Sequence, residues 1–220
     1  MDNNPLSPNY LKGAFIALYP DRQFTRITTF QLNPDSLQRD ILPLGKKVPV
    51  YKTAGVRERI SFDLSVDALL GDGYFDDNGV VNPDGVIGFL SSLELLLHPA
   101  EASNQPGAAS SGSSLFGFVD FVKALLGFNR YKPLPLVSLV FGEHRIIPVR
   151  ITKMRIQEQA FDTTLNPVQA SVHLVMETLT EQESKHHPQI EGIYKNYLQH
   201  KVLTADNLQT NVAGISVEPL

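Results

Sequence analysis

The chain has 220 residues, 42% hydrophobic and 19% charged, which is ordinary globular usage and excludes a disordered chain. A net charge of −4 leaves no global basic field for nucleic acid, and the absence of cysteine removes disulfide frameworks, thiolate metal sites and thiol nucleophiles together. No N-terminal run pairs a basic start with an apolar core and no stretch reaches the roughly 18 apolar residues that cross a bilayer, so the expectation is synthesis in the cytoplasm without a signal peptide and no membrane span.

Fifteen glycines and fifteen prolines punctuate the sequence and favour short strands joined by turns. Weak strand patterns occupy residues 13–19, 26–32 and 48–52. The clearest strand is 59–66: Ile60, Phe62, Leu64 and Val66 fall on one face, and Arg59, Ser61, Asp63 and Ser65 on the other. Residues 67–84 carry five aspartates, but their spacing fails the calcium-loop pattern and no Glu closes a twelve-residue loop, so they read as a solvated turn. A helix is predicted over 86–98, with the stripe Val86, Phe89, Leu90, Leu93 and Leu97, Asp84 as N-cap and Pro99 as stop. Residues 100–114 are a Gly/Ser/Ala-rich linker. It leads into 115–128, where ten of fourteen residues are Leu, Phe, Val or Ala. That apolar segment needs a surface to bury it. Three choices stay open: its own domain, a partner subunit reached through Leu115, Phe116, Phe118, Phe121, Val122 and Leu125, or shallow membrane insertion.

Strands follow at 136–141 and 145–157, with a hairpin turn over 141–145. In the longer one Ile147, Val149 and Ile151 share a parity that Met154 and Ile156 reverse, which predicts a β-bulge near Thr152 and Lys153. Over 168–178, Val168, Ala170, Val172, Leu174 and Met176 alternate with Gln169, Ser171, His173 and Glu177. Such one-faced strands belong to an antiparallel sheet. A last helix over 190–201 carries the stripe Ile190, Ile193, Tyr194, Tyr197 and Leu198, and is expected on the outside of the barrel or on a neighbouring subunit. The domain organisation is a first half of a β domain with its helix (1–99), an inserted linker and apolar segment (100–132), the second half of the β domain (133–180) and a C-terminal helix and tail (181–220).

Catalytic patterns are absent: no nucleophile elbow, phosphate-binding glycine loop or dinucleotide fingerprint occurs. Of the six histidines only His186 and His187 are adjacent, and neighbours in sequence do not share a helix face as i, i+4 ligands do, so a solvated loop pair is expected. Glu94 and His98 do have that spacing and read as a surface contact. No enzyme activity, metal or cofactor is expected.

Three phrases in order carry a resemblance. The first is Gly13-Ala14-Phe15-Ile16 followed by Phe30-Gln31-Leu32-Asn33-Pro34 and Leu37. The second is Pro135 to Phe141-Gly142, followed by Ile147-Pro148-Val149-Arg150-Ile151-Thr152. The third is Phe161-Asp162 followed by Asn166-Pro167 and Ala170. Together they resemble the tube-type proteins of contractile injection systems, the phage-tail-like particles, over residues 10–200. On the residues themselves, Asn33-Pro34 and Asn166-Pro167 are turn initiators that set strand boundaries, and Phe30, Phe141 and Phe161 are expected core anchors.

The resemblance implies a mainly β (α+β) fold: a tube-type antiparallel β-barrel or sandwich with flanking helices and one inserted helical segment. It further implies a homo-hexameric ring in the baseplate that initiates the inner tube and joins it to the spike hub protein, with the inner-tube protein and other baseplate subunits as partners. The particle would then be released or anchored at a membrane. Many such members end in a peptidoglycan-binding LysM module, which the nineteen residues after Lys201 are too few to form. The alternatives are a repeating or terminating inner-tube subunit and, from another class, a small-ligand-binding β-barrel.

Overall fold

The computed structural model describes residues 11–19, 24–45, 53, 55–70, 85–98 and 134–210. The segments 46–52 and 71–84 lie outside these residues, as does 99–133, so the strand predicted at 48–52, Asp84, Pro99 and the apolar segment 115–128 are not placed.

Seven strands form one antiparallel sheet: β1 (Ala14–Tyr19), β2 (Phe24–Thr29), β3 (Gln38–Pro43), β4 (Val56–Asp67), β5 (Leu136–Val140), β6 (Ile146–Phe161) and β7 (Pro167–Thr178). Among the described residues their order is β2-β1-β5-β6-β7-β4-β3, so β2 and β3 are the end strands. With three helices among the described residues, α1 (Ile87–Glu94), α2 (Glu181–Ser184) and α3 (Pro188–Thr210), the protein is mainly β within the α+β class, as expected. No helix among the described residues is long and apolar enough to cross a membrane.

The alternation in β4 and β7 is realised. Ile60, Phe62, Leu64 and Val66 are buried with Ala170, Val172, Leu174 and Met176. The polar alternates Arg59, Asp63 and Ser65 are exposed. The two strands run together from Arg59 opposite Glu177 to Asp67 opposite Gln169. The bulge falls between Ile151 and Lys153, and the hydroxyl of the extra residue, Thr152, donates to the Val175 carbonyl at 3.1 Å. This is why Ile147, Val149 and Ile151 are buried before it while Met154 and Ile156 still pack against the core after it.

The sheet curls around aromatic rings. Phe62 lies 6.4 Å from Phe15, 5.7 Å from Phe30 and 6.3 Å from Phe141 between ring centroids, which brings β1 and β4, separated by three strands in the sheet, into contact. Gly13 is required here: a Cβ would stand 2.6 Å from the Phe30 ring, which is itself buried. Buried residues of α1 and Tyr197 of α3 join the same core.

Several expectations are corrected. Phe161 is not a core anchor; it is 52% exposed, at the end of the distal half of β6, which pairs with β7 on one side but runs beyond its pairing with β5 on the other. Phe141 is only half-buried. Helix α1 begins after Val86, which makes no side-chain cap, and ends at Glu94. The chain then turns, so Leu96 is buried where Leu97 was expected. Leu198 is exposed, and α3 lies against its own sheet and not on its outside: Tyr197 points into the core and Ile190 is fully buried. β3 and the single-turn α2 are additional elements. The turn over 141–145, closed by Phe141 N–H donating to the Arg145 carbonyl at 2.9 Å, matches expectation.

Candidate functional site

The first phrase builds a seam. Phe30 is buried and its N–H donates to the Gly13 carbonyl at 2.8 Å, while Gly13 N–H donates to Asn33 Oδ1 at 2.7 Å and Asn33 Nδ2 to the Leu11 carbonyl at 2.8 Å. Gln31 then reaches across to β4. Its Nε2 donates to the carbonyls of Asp67 and Leu70, and its Oε1 accepts from Asp67 N–H, all at 2.7 Å. A primary amide has the donor and acceptor of a peptide group, so Gln31 occupies the place of one strand residue opposite Asp67. The end of edge strand β2 is thereby tied to β4 by one side chain instead of a ladder. Pro34, half-buried, ends this segment before β3.

Gln31→Ala is expected to lower stability by about 2–3 kcal/mol through three lost bonds. Amide exchange at Asp67 should accelerate while that of Leu174 stays slow, which hydrogen-exchange NMR checks.

The other phrases are local staples. Gly142 takes φ 95° in the turn between β5 and β6, and Pro148 is buried in β6, its carbonyl accepting from Leu179 N–H at 3.0 Å. Asp162 organises the tip of the β6–β7 hairpin: its Oδ1 accepts from Thr164 Oγ1 and Thr164 N–H at 2.7 Å and from Asn166 N–H at 2.9 Å. These bonds, led by the Thr164 hydroxyl, hold its carboxyl below the usual carboxylate range. Leu165 sits there at φ 65° and is 80% exposed. Pro167 begins β7, and its carbonyl accepts from Val86 N–H at 3.0 Å, docking α1. Gly85 beside it has no room for a side chain: a Cβ would lie 2.3 Å from that carbonyl oxygen. Leu115, Phe116, Phe118, Phe121, Val122 and Leu125 lie outside the described residues.

The densest polar cluster was not anticipated. Glu58, 4% exposed, stands on the inner face of β4 in the row that continues through Ile60 and Phe62. Arg39 on the edge strand β3 donates to its Oε2 through Nε at 3.1 Å and Nη2 at 2.5 Å. From α3, the Tyr197 hydroxyl donates to the same carboxylate at 3.0 Å, and Lys201 Nζ forms an ion pair with it. Burial pushes the Glu58 carboxyl up, but the bonds from Lys201 and Arg39 outweigh it and hold the group below its usual range. Burial pushes the Tyr197 hydroxyl up, and the neighbouring Glu58 charge adds to this. The cluster therefore stays charged at neutral pH and fastens α3 to β3 and β4. The sequence signal was the parity of Glu58, two residues before Ile60.

A second cluster fixes α2. Arg57 Nη2 donates to both Glu183 carboxylate oxygens at 3.1 Å, Arg150 donates to Glu183 at 3.2 Å, and Arg59 donates to Glu177 at 3.3 Å. Glu183 also closes a capping box with Thr180. Burial pushes its carboxyl up, yet the Thr180 bonds and the two arginines bring it below the usual range.

Both clusters are ion-pair networks at element junctions, the arrangement of structural fasteners, with Arg57 Nε in the second buried without a partner. Among the described residues no group of three or more His, Asp or Glu is placed to hold a metal ion. His186 and His187 sit in the turn before α3 with His186 exposed, and the exposed His98 lies beyond α1. No protein-family model and no curated protein sequence matches this chain.

Proposed function

We propose that this chain is a ring-forming subunit in the baseplate of a contractile, phage-tail-like injection particle, where it initiates the inner tube and joins it to the spike hub. The observation that carries the reading is that β2 and β3, the end strands of one curved sheet, have no further strand beside them among the described residues. All six residues of β3 are exposed, with Ile41 61% and Leu42 42% accessible, and Ile27 on β2 is 64% accessible. Apolar edges of this kind invite uncontrolled pairing unless another chain covers them. Joined β3 to β2 between copies, they become a heterologous interface that closes into a ring when the rotation per copy is right. The polar face carrying Arg59, Ser61, Asp63 and Ser65, together with Gln169 and His173, then lines a water-filled lumen.

The order of the three sequence phrases supports membership in this class of particle. The filling of the sheet's interior by Phe15, Phe30 and Phe62 favours a structural role over the small-ligand barrel. The tethered apolar segment 115–128 favours the baseplate over the repeating tube. No catalytic step belongs to this role. The subunit assembles in the cytoplasm and leaves it, if at all, as part of the particle.

The test is negative-stain microscopy of particles from the native host carrying a tagged copy of the chain. Label at one end of a rod is the expected result. Label along the whole rod would make this the repeating tube subunit, and the absence of any co-purifying rod would overturn the proposal.

A further inference from the structure

The Glu58 cluster is the floor of a cleft beside the β3 edge. Between the 141–145 turn and α3 the surface opens into a cleft of about 520 Å3, within the range of small-molecule sites. Its walls are apolar, formed by the Phe141 ring, Ala205 and Leu208.

Nitrogen-bearing side chains surround these walls. The Arg145 guanidinium lies 5.1 Å from the centroid of the Phe141 ring, and His144 and His200 meet across the cleft with ring centroids 4.8 Å apart. Arg39 and Lys201 rise from the floor. Two carboxylates oppose them. Glu58 is sequestered beneath and consumed by Arg39, Lys201 and Tyr197. Glu143 is 81% exposed and faces His144 at 3.9 Å. Among the described residues no carboxylate pairs with Arg145. A guanidinium laid on an aromatic face keeps its N–H edge for an anion.

We propose that this cleft binds a small organic anion: an aromatic or short aliphatic body against Phe141, Ala205 and Leu208, bearing one carboxylate or sulfonate that Arg145 holds. The apolar walls select the body, and the excess of donors over free carboxylates selects the charge. The inference is independent of whether the chain forms a ring.

Isothermal titration of the full chain with 1-naphthoate and with neutral 1-naphthamide tests it. Naphthoate is expected to bind with a Kd on the order of 0.1–1 mM, as a ligand of this size allows, and naphthamide about tenfold more weakly. Arg145→Ala should reduce naphthoate to the affinity of the amide without shifting the melting temperature, since Arg145 is exposed. Arg145→Gln repeats this measurement should the Ala variant be less stable. Ala205→Trp, which fills the cleft from an exposed helix position, should abolish binding of both. The proposal is overturned if naphthoate gives no heat up to about 5 mM, if acid and amide bind equally, or if Ala205→Trp binds as the wild type does.

Discussion

Phe62→Asp is expected to abolish soluble expression, whereas Ser61→Asp, one residue away, is expected to leave expression and melting temperature nearly unchanged. Phe62 is 3% exposed and its ring contacts those of Phe15, Phe30 and Phe141. Removing a buried aromatic ring costs about 3–5 kcal/mol, and an unpaired carboxylate in its place adds several more. The total stability of a domain is about 5–15 kcal/mol, so the substitution consumes most or all of it. Ser61 points to the opposite face, beside Val175 and near the exposed Arg59, where a carboxylate is solvated; the expected change is within about 0.5 kcal/mol. Soluble yield and thermal melts by circular dichroism read both. Equal effects from the two substitutions would mean that the two faces of β4 are assigned the wrong way round.

Glu58→Gln is expected to destabilise the protein by about 2–3 kcal/mol at pH 7 and to flatten its acid sensitivity. The magnitude lies below that of a fully buried pair because the Arg39 and Lys201 side chains are 31% and 39% exposed and can recover water. The sign follows from the folded carboxyl lying below its ordinary value of 4.5. Such a group contributes its full stabilisation above about pH 4.5 and loses it as pH falls through the folded value. The gap between wild type and Glu58→Gln should therefore be widest near neutrality and narrow as the pH falls below 4.5 toward the folded value. Urea melts at pH 7 and in steps from 5 to 3 measure it. A gap independent of pH would assign the loss to packing and not to the charge. In the neutral variant α3, which depends on Tyr197 and Lys201 for this attachment, should lose protection in hydrogen exchange before the sheet does.

The strands that face a core on one side were legible, and those without that contrast were not. In β4 and β7 every second residue crosses between oil and water, so composition alone gives the period; even the bulge in β6 showed as a reversed parity between Ile151 and Met154. β3 carries Gln38, Arg39, Asp40, Ile41 and Leu42 with every side chain exposed, so no burial pattern exists to be read. The second half of α3 is similarly exposed, and the apolar stripe therefore ended at Leu198 while the helix continues to Thr210. Helix α2 did have a signal, the Thr180–Glu183 capping box. Glu58 was legible only by counting back from Ile60, because a carboxylate on an inner face contradicts the hydrophobic pattern that defines the face. Its partners, Arg39, Tyr197 and Lys201, come from 19 to 143 positions away in sequence, and no local pattern announces such a meeting. Gln31 was legible as part of a phrase, but its role as a substitute strand residue depends on where β4 ends.

The bulge at Thr152 has a consequence for how β6 can change over time. Because it shifts the phase of the strand by one residue, Arg150 and Ile151 obey one inside-outside rule, and Met154 and Arg155 obey the opposite one. Losing Thr152 would leave Ile151 opposite Met176, Lys153 opposite Val175 and Met154 opposite Leu174, so a single deletion at the bulge keeps every side chain on its present face and only regularises the ladder. In the regular stretch after the bulge, losing one residue would turn each later side chain to the other face, exchanging Ile156 for Gln157 against the core. The bulge is thus a place where β6 tolerates a change of length by one residue.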